Sequence, residues 1–134
     1  MIDAGTARTR VLVIDDDDLV RDTVQAILLK DGYDVEVASD GRELEKRLDA
    51  SAPDVLITDI FMPHMDGIEV IRNVRDRFPD ILILAMSGLG HVENAEGKPM
   101  MLEMAKGLGA SEIIRKPFRP DELLGVLNDL LPTS

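Results

Sequence analysis

Apolar and amphipathic segments alternate along the chain. Mostly apolar runs of strand length occupy residues 10–14, 33–38, 54–59, 81–87 and 112–115. Apolar residues at helical spacing follow each run; the first predicted helix ends near Gly32 and the others span residues 40–50, 66–78, 99–108 and 120–131. Short polar links with glycine or proline separate the segments.

This alternation predicts an α/β fold. Strands that are separated by helices form parallel sheets with right-handed crossovers and helices on both faces. We therefore expect a doubly wound, five-stranded parallel sheet with five helices. Residues 33–38 alternate between apolar and polar, which is typical of an edge strand. One domain is expected over residues 10–131, with a flexible N-terminal tail at 1–9 and a C-terminal tail at 132–134.

The composition narrows the possible functions. The chain has 134 residues, a formal net charge of -11 and no cysteine. Its acidity argues against binding nucleic acid through a basic face and against an anionic membrane surface. The missing cysteines exclude a disulfide framework and thiol catalysis, and fit a reducing, cytoplasmic location. No apolar run approaches the roughly 18 residues of a membrane span, and the start of the chain lacks an apolar signal core.

Polar residues stand where the predicted strands end. They are Asp15 and Asp16, Asp59, Ser87 and Lys116. The carboxyl ends of parallel strands meet at one edge of the sheet, where α/β proteins bind ligands. We therefore expect these side chains to converge. For Asp59 taken alone, a role in capping the next loop is an open alternative.

The acidic residues are a candidate metal site. Clustered carboxylates raise one another's proton affinity, and a hard divalent cation relieves their repulsion. Mg²⁺ prefers oxygen ligands, usually one or two carboxylates with water and phosphate oxygens. The alternative is a solvated acidic run that caps the following helix. We assign Asp17 and Asp18 to capping, and Asp15 and Asp16, which end an apolar strand, to metal binding.

An acid, a metal, a lysine and a hydroxyl together suit phosphoryl transfer, in which catalysis is mostly positioning and charge neutralisation. Asp59 is the candidate nucleophile because it stands alone on the central strand and carboxylates can form aspartyl phosphates. Ser87 can donate to a phosphate oxygen, and Lys116 can pair with a carboxylate or a phosphate. A cis peptide bond between Lys116 and Pro117 would direct the lysine side chain toward the carboxyl edge of the sheet. A trans bond would merely end the last strand.

Together the motifs resemble the receiver domain of two-component response regulators, of which the chemotaxis regulator is a single-domain member. The matching segments are Val-Leu-Val-Ile-Asp15-Asp16, Leu-Ile-Thr-Asp59-x3-Pro63-x3-Gly67, Ala-Met-Ser87-Gly88, and Gly109-Ala110 followed by Lys116-Pro117-Phe118. The resemblance covers about residues 10–131. It implies a flavodoxin-like sheet with strand order 2-1-3-4-5.

The resemblance also implies roles for the acidic residues. Asp59 would accept a phosphoryl group from a phosphohistidine on a histidine kinase or a histidine phosphotransfer protein. Asp16, Asp59 and the backbone carbonyl of Phe61 would hold Mg²⁺, with Asp15 acting through water.

The switch that the resemblance implies involves the other strand ends. Lys116 and Ser87 would contact the phosphoryl group and so change the surface near the fourth helix, the last strand and the last helix, which a downstream protein target would bind. Ile113 stands where the family often has an aromatic residue. We therefore expect no hydroxyl-to-aromatic relay, but movement of the backbone or repacking of Ile113.

Other departures from the family pattern surround the acceptor. The segment 88–98 is longer than expected, which indicates a partner-binding or lid surface or, alternatively, a tolerated insertion. Phe61 and Leu89 are apolar and cannot orient a water, which predicts slow self-dephosphorylation. His64 and His91 have no partner ligand at metal-binding spacing, so we interpret them as surface residues.

Three functional hypotheses are compatible with these residues. The leading one is a stand-alone receiver that switches protein contacts or passes the phosphoryl group on. It would be a monomer or weak phosphorylation-dependent dimer, and no enzyme beyond its own phosphorylation and dephosphorylation. The second is a small phosphatase of the haloacid dehalogenase type with Asp15 as nucleophile, although the second acidic pair and the cap domain of that type are missing. The third is a pseudo-receiver that docks without phosphorylation.

Overall fold

A parallel sheet forms the centre of the computed structural model, which describes residues 8–62, 65–88, 105–107 and 109–131, and only the backbone at 61–62 and 65–66. The described strands are β1 (Arg10–Ile14), β2 (Asp34–Ala38), β3 (Val55–Asp59), β4 (Phe61–Met62), β5 (Met65–Asp66), β6 (Leu82–Ser87) and β7 (Glu112–Arg115). Five of them pair in the order β2-β1-β3-β6-β7, and every pair in this sheet is parallel. Numbered within the sheet, this is the predicted order 2-1-3-4-5.

Helices cover both faces of the sheet. The described helices are α1 (Asp18–Lys30), α2 (Gly41–Ala50), α3 (Gly67–Arg77), α4 (105–107) and α5 (Pro120–Leu130). Successive residues of a strand point to opposite faces. Leu12 and Leu56 therefore pack on the side of α2, α3 and α4, whereas Val13 and Ile57 pack on the side of α1 and α5. The predicted doubly wound, flavodoxin-like α/β class is confirmed.

Burial along the strands follows their position in the sheet. All residues of β3 are buried, because β1 and β6 flank it and helices cover both of its faces. In β2 the first residue, Asp34, is exposed and the next three residues are only partly buried. The predicted edge position of this strand is confirmed. Asp59, the last residue of β3, is thereby delivered to the middle of the carboxyl edge.

The acidic run after β1 starts helix α1. The side chain of Asp17 accepts a hydrogen bond from the backbone nitrogen of Leu19 at 2.9 Å, which satisfies a donor that the helix leaves unpaired. Asp18 lies in the first turn, where a negative charge interacts favourably with the helix dipole. The helix ends before Gly32, whose φ of 94° favours a residue without a side chain. The capping role predicted for Asp17 is confirmed.

The connection between β3 and α3 differs from the expected loop. The backbones of β4 and β5 pair antiparallel, with Phe61 opposite Asp66. The prediction that the helix starts at Asp66 was therefore wrong, since α3 starts at Gly67. The backbone nitrogen of Gly67 donates to the carbonyl of Ile60 at 3.1 Å, and a Cβ built on Gly67 would lie 2.2 Å from the carbonyl oxygen of Asp59. Glycine permits this close approach of two backbone segments.

Some predicted segments lie outside the described residues. They include residues 1–7 and 132–134 of the predicted tails, residues 89–98 of the long segment, and residues 99–104 and 108 of the fourth predicted helix. Ala105, in the described part of that helix, is fully buried. Across the described ranges, every helix is too short or too polar to cross a bilayer.

Candidate functional site

The carboxyl ends of four strands converge on one lysine. Asp15 follows β1, Asp59 ends β3, Ser87 ends β6 and Lys116 follows β7. The Nζ of Lys116 lies 2.9 Å from Oδ2 of Asp59 and 3.2 Å from Oδ2 of Asp15. A single ammonium group thus serves two carboxylates, and the predicted convergence of the strand ends is observed.

Asp15 is buried with every polar atom in contact. Its side chain is fully inaccessible to solvent; Oδ1 accepts from the backbone nitrogen of Asp17 at 2.9 Å and Oδ2 contacts Lys116. Burial raises the pKa of the Asp15 carboxyl above its ordinary value, and the charge of Asp59 adds to this effect, while the Asp17 amide and Lys116 oppose it. A further positive charge placed beside Asp15 would favour the ionised form of this carboxyl group.

Lys116 is held from both its backbone and its side chain. The peptide bond to Pro117 is cis, which is one of the two alternatives that the sequence left open. The backbone nitrogen of Lys116 donates to the carbonyl of Ser87 at 2.7 Å. Burial alone would lower the pKa of the ammonium group, but the hydrogen bond and charge of Asp59, with a smaller contribution from Asp15, outweigh burial and raise the pKa. The lysine is therefore a fixed cation at the centre of the edge.

Three carboxylates have the arrangement of a cation site. Asp15, Asp16 and Asp59 each offer one carboxylate oxygen, and these oxygens all lie within 4.8 Å of one another. Such a hard, anionic oxygen donor set fits Mg²⁺ better than a soft or transition metal. Asp16 is exposed, whereas Asp15 and Asp59 are buried, so solvent can reach the cluster from one side. Of Phe61 only the backbone is described, and the ligand role of its carbonyl stays a prediction.

Ser87 contributes a buried hydroxyl group at the end of β6. The residue is only 2% exposed, and within the described part of the chain its Oγ makes no hydrogen bond. A buried polar atom without a partner costs roughly 1–3 kcal/mol. A group with acceptor oxygens that entered the site would remove this cost.

The remaining predicted site residues are less informative. Ile113 lies in β7 opposite Ala85 and packs, partly buried, against the core that contains α3; a role in switching stays a prediction. Leu89, His64 and His91 lie outside the described residues.

Two residues near the site were not singled out from the sequence. Gly67 permits the close approach of α3 to the Asp59 carbonyl, and its spacing of eight residues after Asp59 was noted only as part of a motif. Arg21 donates from Nη1 to the backbone carbonyl of Asp15 at 2.7 Å. An arginine in the first turn of an acidic helix was the available signal, because cations are unfavourable at that helix end.

A model of the response regulator receiver domain matches residues 11–128. The chain belongs to this family. This receiver domain is 37% identical over 124 residues to response regulator MprA of Mycolicibacterium vanbaalenii, a match that covers 91% of this chain and 50% of the relative. The identity to MprA of Mycobacterium tuberculosis is the same. The chain thus spans about half the length of these curated relatives, so the expectation of a stand-alone receiver stays a prediction.

Solved structures agree with the family assignment. The chemotaxis protein CheY4 of Vibrio cholerae superposes with a TM-score of 0.82 at 33% identity, covering 93% of this receiver domain and 100% of that chain. The receiver domain of NtrX from Brucella abortus gives a TM-score of 0.81 at 29% identity, covering 92% and 99%. The similarity therefore extends over more than nine-tenths of this chain.

Proposed function

We propose that this receiver domain accepts a phosphoryl group on Asp59 from a phosphohistidine, with Mg²⁺, and that the phosphorylated form changes its contacts with other proteins. The observation that supports this most directly is the shared ammonium of Lys116, which lies 2.9 Å from Asp59 and 3.2 Å from Asp15. Ser87 ends the neighbouring strand β6, and among the described residues its hydroxyl makes no hydrogen bond. A phosphoryl group on Asp59 would bring new negative charge and acceptor oxygens next to both donors.

The transfer step is a substitution at phosphorus. A carboxylate oxygen of Asp59 attacks the phosphorus of the donor, a P–O bond forms, and the P–N bond to the donor imidazole breaks. The imidazole takes a proton from solvent and leaves in its neutral form. Lys116 and the buried setting of Asp59 hold the attacking oxygen in place, so that the protein acts mainly by positioning and by charge neutralisation.

The cation would be held by Asp16, Asp59 and the backbone carbonyl of Phe61, with Asp15 acting through water. Mg²⁺, when bound, supplies positive charge for the carboxylates and the phosphoryl oxygens. Asp15, Asp16 and Asp59 are suited to this because their oxygens already cluster within 4.8 Å. Asp15 also keeps Lys116 directed toward the acceptor, since the two are in contact.

The switch would start at Ser87 and Lys116. The hydroxyl of Ser87 would gain an acceptor when the phosphoryl group is present, and a ligand shifts a conformational equilibrium by such differential contacts. Ser87 and Lys116 are linked through the bond from the Lys116 backbone nitrogen to the Ser87 carbonyl. Movement of this pair would displace the ends of β6 and β7, including Ile113, and change the surface near α4, β7 and α5 that a downstream protein target binds.

Partners follow from this chemistry. The donor would be a histidine kinase or a histidine phosphotransfer protein in the cytoplasm, and the domain would turn over only its own phosphoryl group. Neither nucleic acid nor a membrane surface is expected as a ligand of this acidic domain. In the absence of phosphate the domain would be a monomer, with at most a weak dimer after phosphorylation.

The test is to identify the modified residue. The full chain is incubated with acetyl phosphate and Mg²⁺, the acyl phosphate is reduced with borohydride, and the reduced residue is located by peptide mass spectrometry. We expect the label on Asp59 and its disappearance in Asp59→Asn. Label on Asp15 would instead support the phosphatase hypothesis, which is disfavoured because both oxygens of Asp15 already have partners. An unlabelled but folded chain would support docking without phosphorylation.

Donor identity needs a second measurement. The chain is mixed with a panel of radiolabelled histidine kinases and histidine phosphotransfer proteins, and transfer is followed over time. We expect rapid transfer from one or a few donors, and none of them should label the Asp59→Asn variant. Equal, slow transfer from every donor would argue against a dedicated partner.

A further inference from the structure

Arg21 reaches back from helix α1 to the end of strand β1. Its Nη1 donates to the backbone carbonyl of Asp15 at 2.7 Å, and its Nη2 pairs with the carboxylate of Asp18, the first residue of the helix. Only 14% of the arginine side chain is exposed. The proposed mechanism assigns no role to this residue, although it contacts the backbone of a candidate metal ligand.

The position of Arg21 is electrostatically unfavourable for a cation. The amino-terminal turn of a helix carries partial positive charge, so a cation there loses roughly 0.3–1 kcal/mol relative to a neutral side chain. Burial removes part of the hydration of the guanidinium group. The carboxylate of Asp18 compensates for the charge of Arg21. This ion pair does not explain why Arg21 is buried, because the Asp18 side chain is itself 84% exposed. The contact that explains the buried conformation is the hydrogen bond to Asp15.

That bond holds the peptide group between the two acids of the site. The Asp15 carbonyl belongs to the peptide unit that joins Asp15 to Asp16. Asp15 is also restrained by its backbone nitrogen, which donates to the Ala38 carbonyl at 3.4 Å, and by the contacts of its carboxylate with Asp17 and Lys116. Asp16 is exposed, and within the described ranges its carboxylate has no hydrogen bond or ion pair. The direction of Asp16 therefore depends on its backbone.

We propose that Arg21 is a positioning residue for the cation site, acting by fixing the Asp15–Asp16 peptide so that the Asp16 carboxylate faces Asp15 and Asp59. This inference rests on the proposed function, in which Asp16 is a ligand of Mg²⁺. Removal of a group that orients a metal ligand through a hydrogen bond commonly weakens metal binding by about 10–100-fold.

Two other roles for Arg21 give different results. If the guanidinium acted only through its charge, its removal would take away a repulsive cation and Mg²⁺ would bind more tightly. If Arg21 served only to stabilise the fold, its removal would lower the melting temperature and leave the affinity of the folded protein for Mg²⁺ unchanged. Positioning alone predicts weaker binding by a folded protein.

The experiment compares Mg²⁺ binding by the full wild-type chain, Arg21→Met and Arg21→Lys. Arg75→Met is the matched control, because Arg75 also donates to backbone carbonyls, those of Gly109 and Pro79, but at the amino edge of the sheet. Mg²⁺ is titrated calorimetrically, and the rise in melting temperature with Mg²⁺ concentration gives a second value of Kd for each protein.

We expect the Kd for Mg²⁺ to rise on the order of tenfold in Arg21→Met and to stay at the wild-type value in Arg75→Met. Arg21→Lys keeps the charge and one donor, and should lie between wild type and Arg21→Met; it also serves as the test if Arg21→Met does not fold. An unchanged or lower Kd in the folded Arg21 variants would overturn the inference while leaving the proposed function intact. Failure of the wild-type chain to bind Mg²⁺ saturably would overturn both.

Discussion

Two aspartates flank the central strand β3 and have opposite surroundings. Asp54 precedes the strand, and its Oδ2 accepts a hydrogen bond from the backbone nitrogen of Arg10 at 2.9 Å, while its own backbone pairs with Arg10 and Leu82. Asp59 ends the strand, is buried, and shares the ammonium of Lys116 with Asp15. The same residue type is a structural group at one end and a reactive candidate at the other.

The difference extends to the two edges of the sheet. At the amino edge, the Arg10 guanidinium donates to the Ser51 hydroxyl, the Ala52 carbonyl and the Glu36 carboxylate, so its charge and donors are used within the fold. At the carboxyl edge, three carboxylates lie close together, two of them contact Lys116, and the hydroxyl of Ser87 has no partner in the described part of the chain. Negative charge and a spare donor at one edge create affinity for a cation and an oxyanion.

The largest expected difference is in phosphorylation. We expect Asp59→Asn to abolish the incorporation of phosphate from acetyl phosphate, because an amide cannot form the acyl phosphate. Asp54→Asn should incorporate phosphate at the wild-type level, since Asp54 bonds only within the amino edge. Intact-mass spectrometry after incubation with Mg²⁺ measures both. Incorporation of phosphate by Asp59→Asn at the wild-type level would show that Asp59 is not the phosphoacceptor and does not differ from Asp54 in this respect.

The stability of the two edges should respond differently to loss of a cation. Removing one partner of a buried ion pair costs about 3–5 kcal/mol, and because the Lys116 side chain is 20% exposed we expect Lys116→Met to lose about 3 kcal/mol of unfolding free energy. Arg10→Met should lose about 1 kcal/mol, since the Arg10–Glu36 pair is more exposed. Urea unfolding in a chelator measures both values.

Adding Mg²⁺ sharpens the same comparison. A divalent cation replaces the missing positive charge at the carboxyl edge, so it should restore part of the stability of Lys116→Met. It should have no comparable effect on the loss caused by Arg10→Met. Equal responses of the two variants would show that the carboxyl edge has no special affinity for the cation.

Backbone packing beneath the acceptor gives a smaller effect. In Gly67→Ala the new methyl group would overlap the Asp59 carbonyl, 2.2 Å away, and overpacking of this kind costs about 1–3 kcal/mol. We also expect slower phosphorylation, because the end of β3 must move. Gly125→Ala in α5 meets nothing within 4 Å and should gain about 0.5–1 kcal/mol from helix propensity. Thermal unfolding and phosphate incorporation are measured for both variants. A Gly67→Ala variant with wild-type stability would contradict the close approach of Gly67 to the Asp59 carbonyl.

The smallest expected effect concerns pH at the amino edge. Burial raises the pKa of the Tyr33 phenol above its ordinary value of 10.0, and the charge of Asp31 adds to the shift. The folded protein therefore holds this proton more tightly than the unfolded chain. The resulting stabilisation is complete below about pH 10 and is lost as the pH rises past the raised pKa. Between about pH 9 and 11, the free energy of unfolding measured in urea should fall more steeply for wild type than for Tyr33→Phe. Equal slopes for the two proteins would contradict the raised pKa of Tyr33.

The site could be located from the sequence because it depends on strand ends. Asp59, Ser87 and Lys116 each follow an apolar run, and parallel strands bring such positions to one edge. The β4–β5 pairing and the approach of Gly67 to Asp59 were not predicted, because both depend on how the backbone folds after the strand rather than on periodicity. The hydrogen bond from Arg21 to Asp15 was not predicted either, because it joins a helix side chain to the backbone at the end of β1 and leaves no periodic pattern in the sequence.

The sequence by itself determined the alternation of strands and helices along the chain and the edge position of β2. These follow from hydrophobic periodicity, which is a local property. Only the tertiary structure decided which carboxylates share the ammonium group of Lys116. Lys116 and Asp15 are 101 residues apart in the chain and 3.2 Å apart in space, and such a contact depends on the relative placement of β1, β3 and β7, to which every element of the sheet contributes.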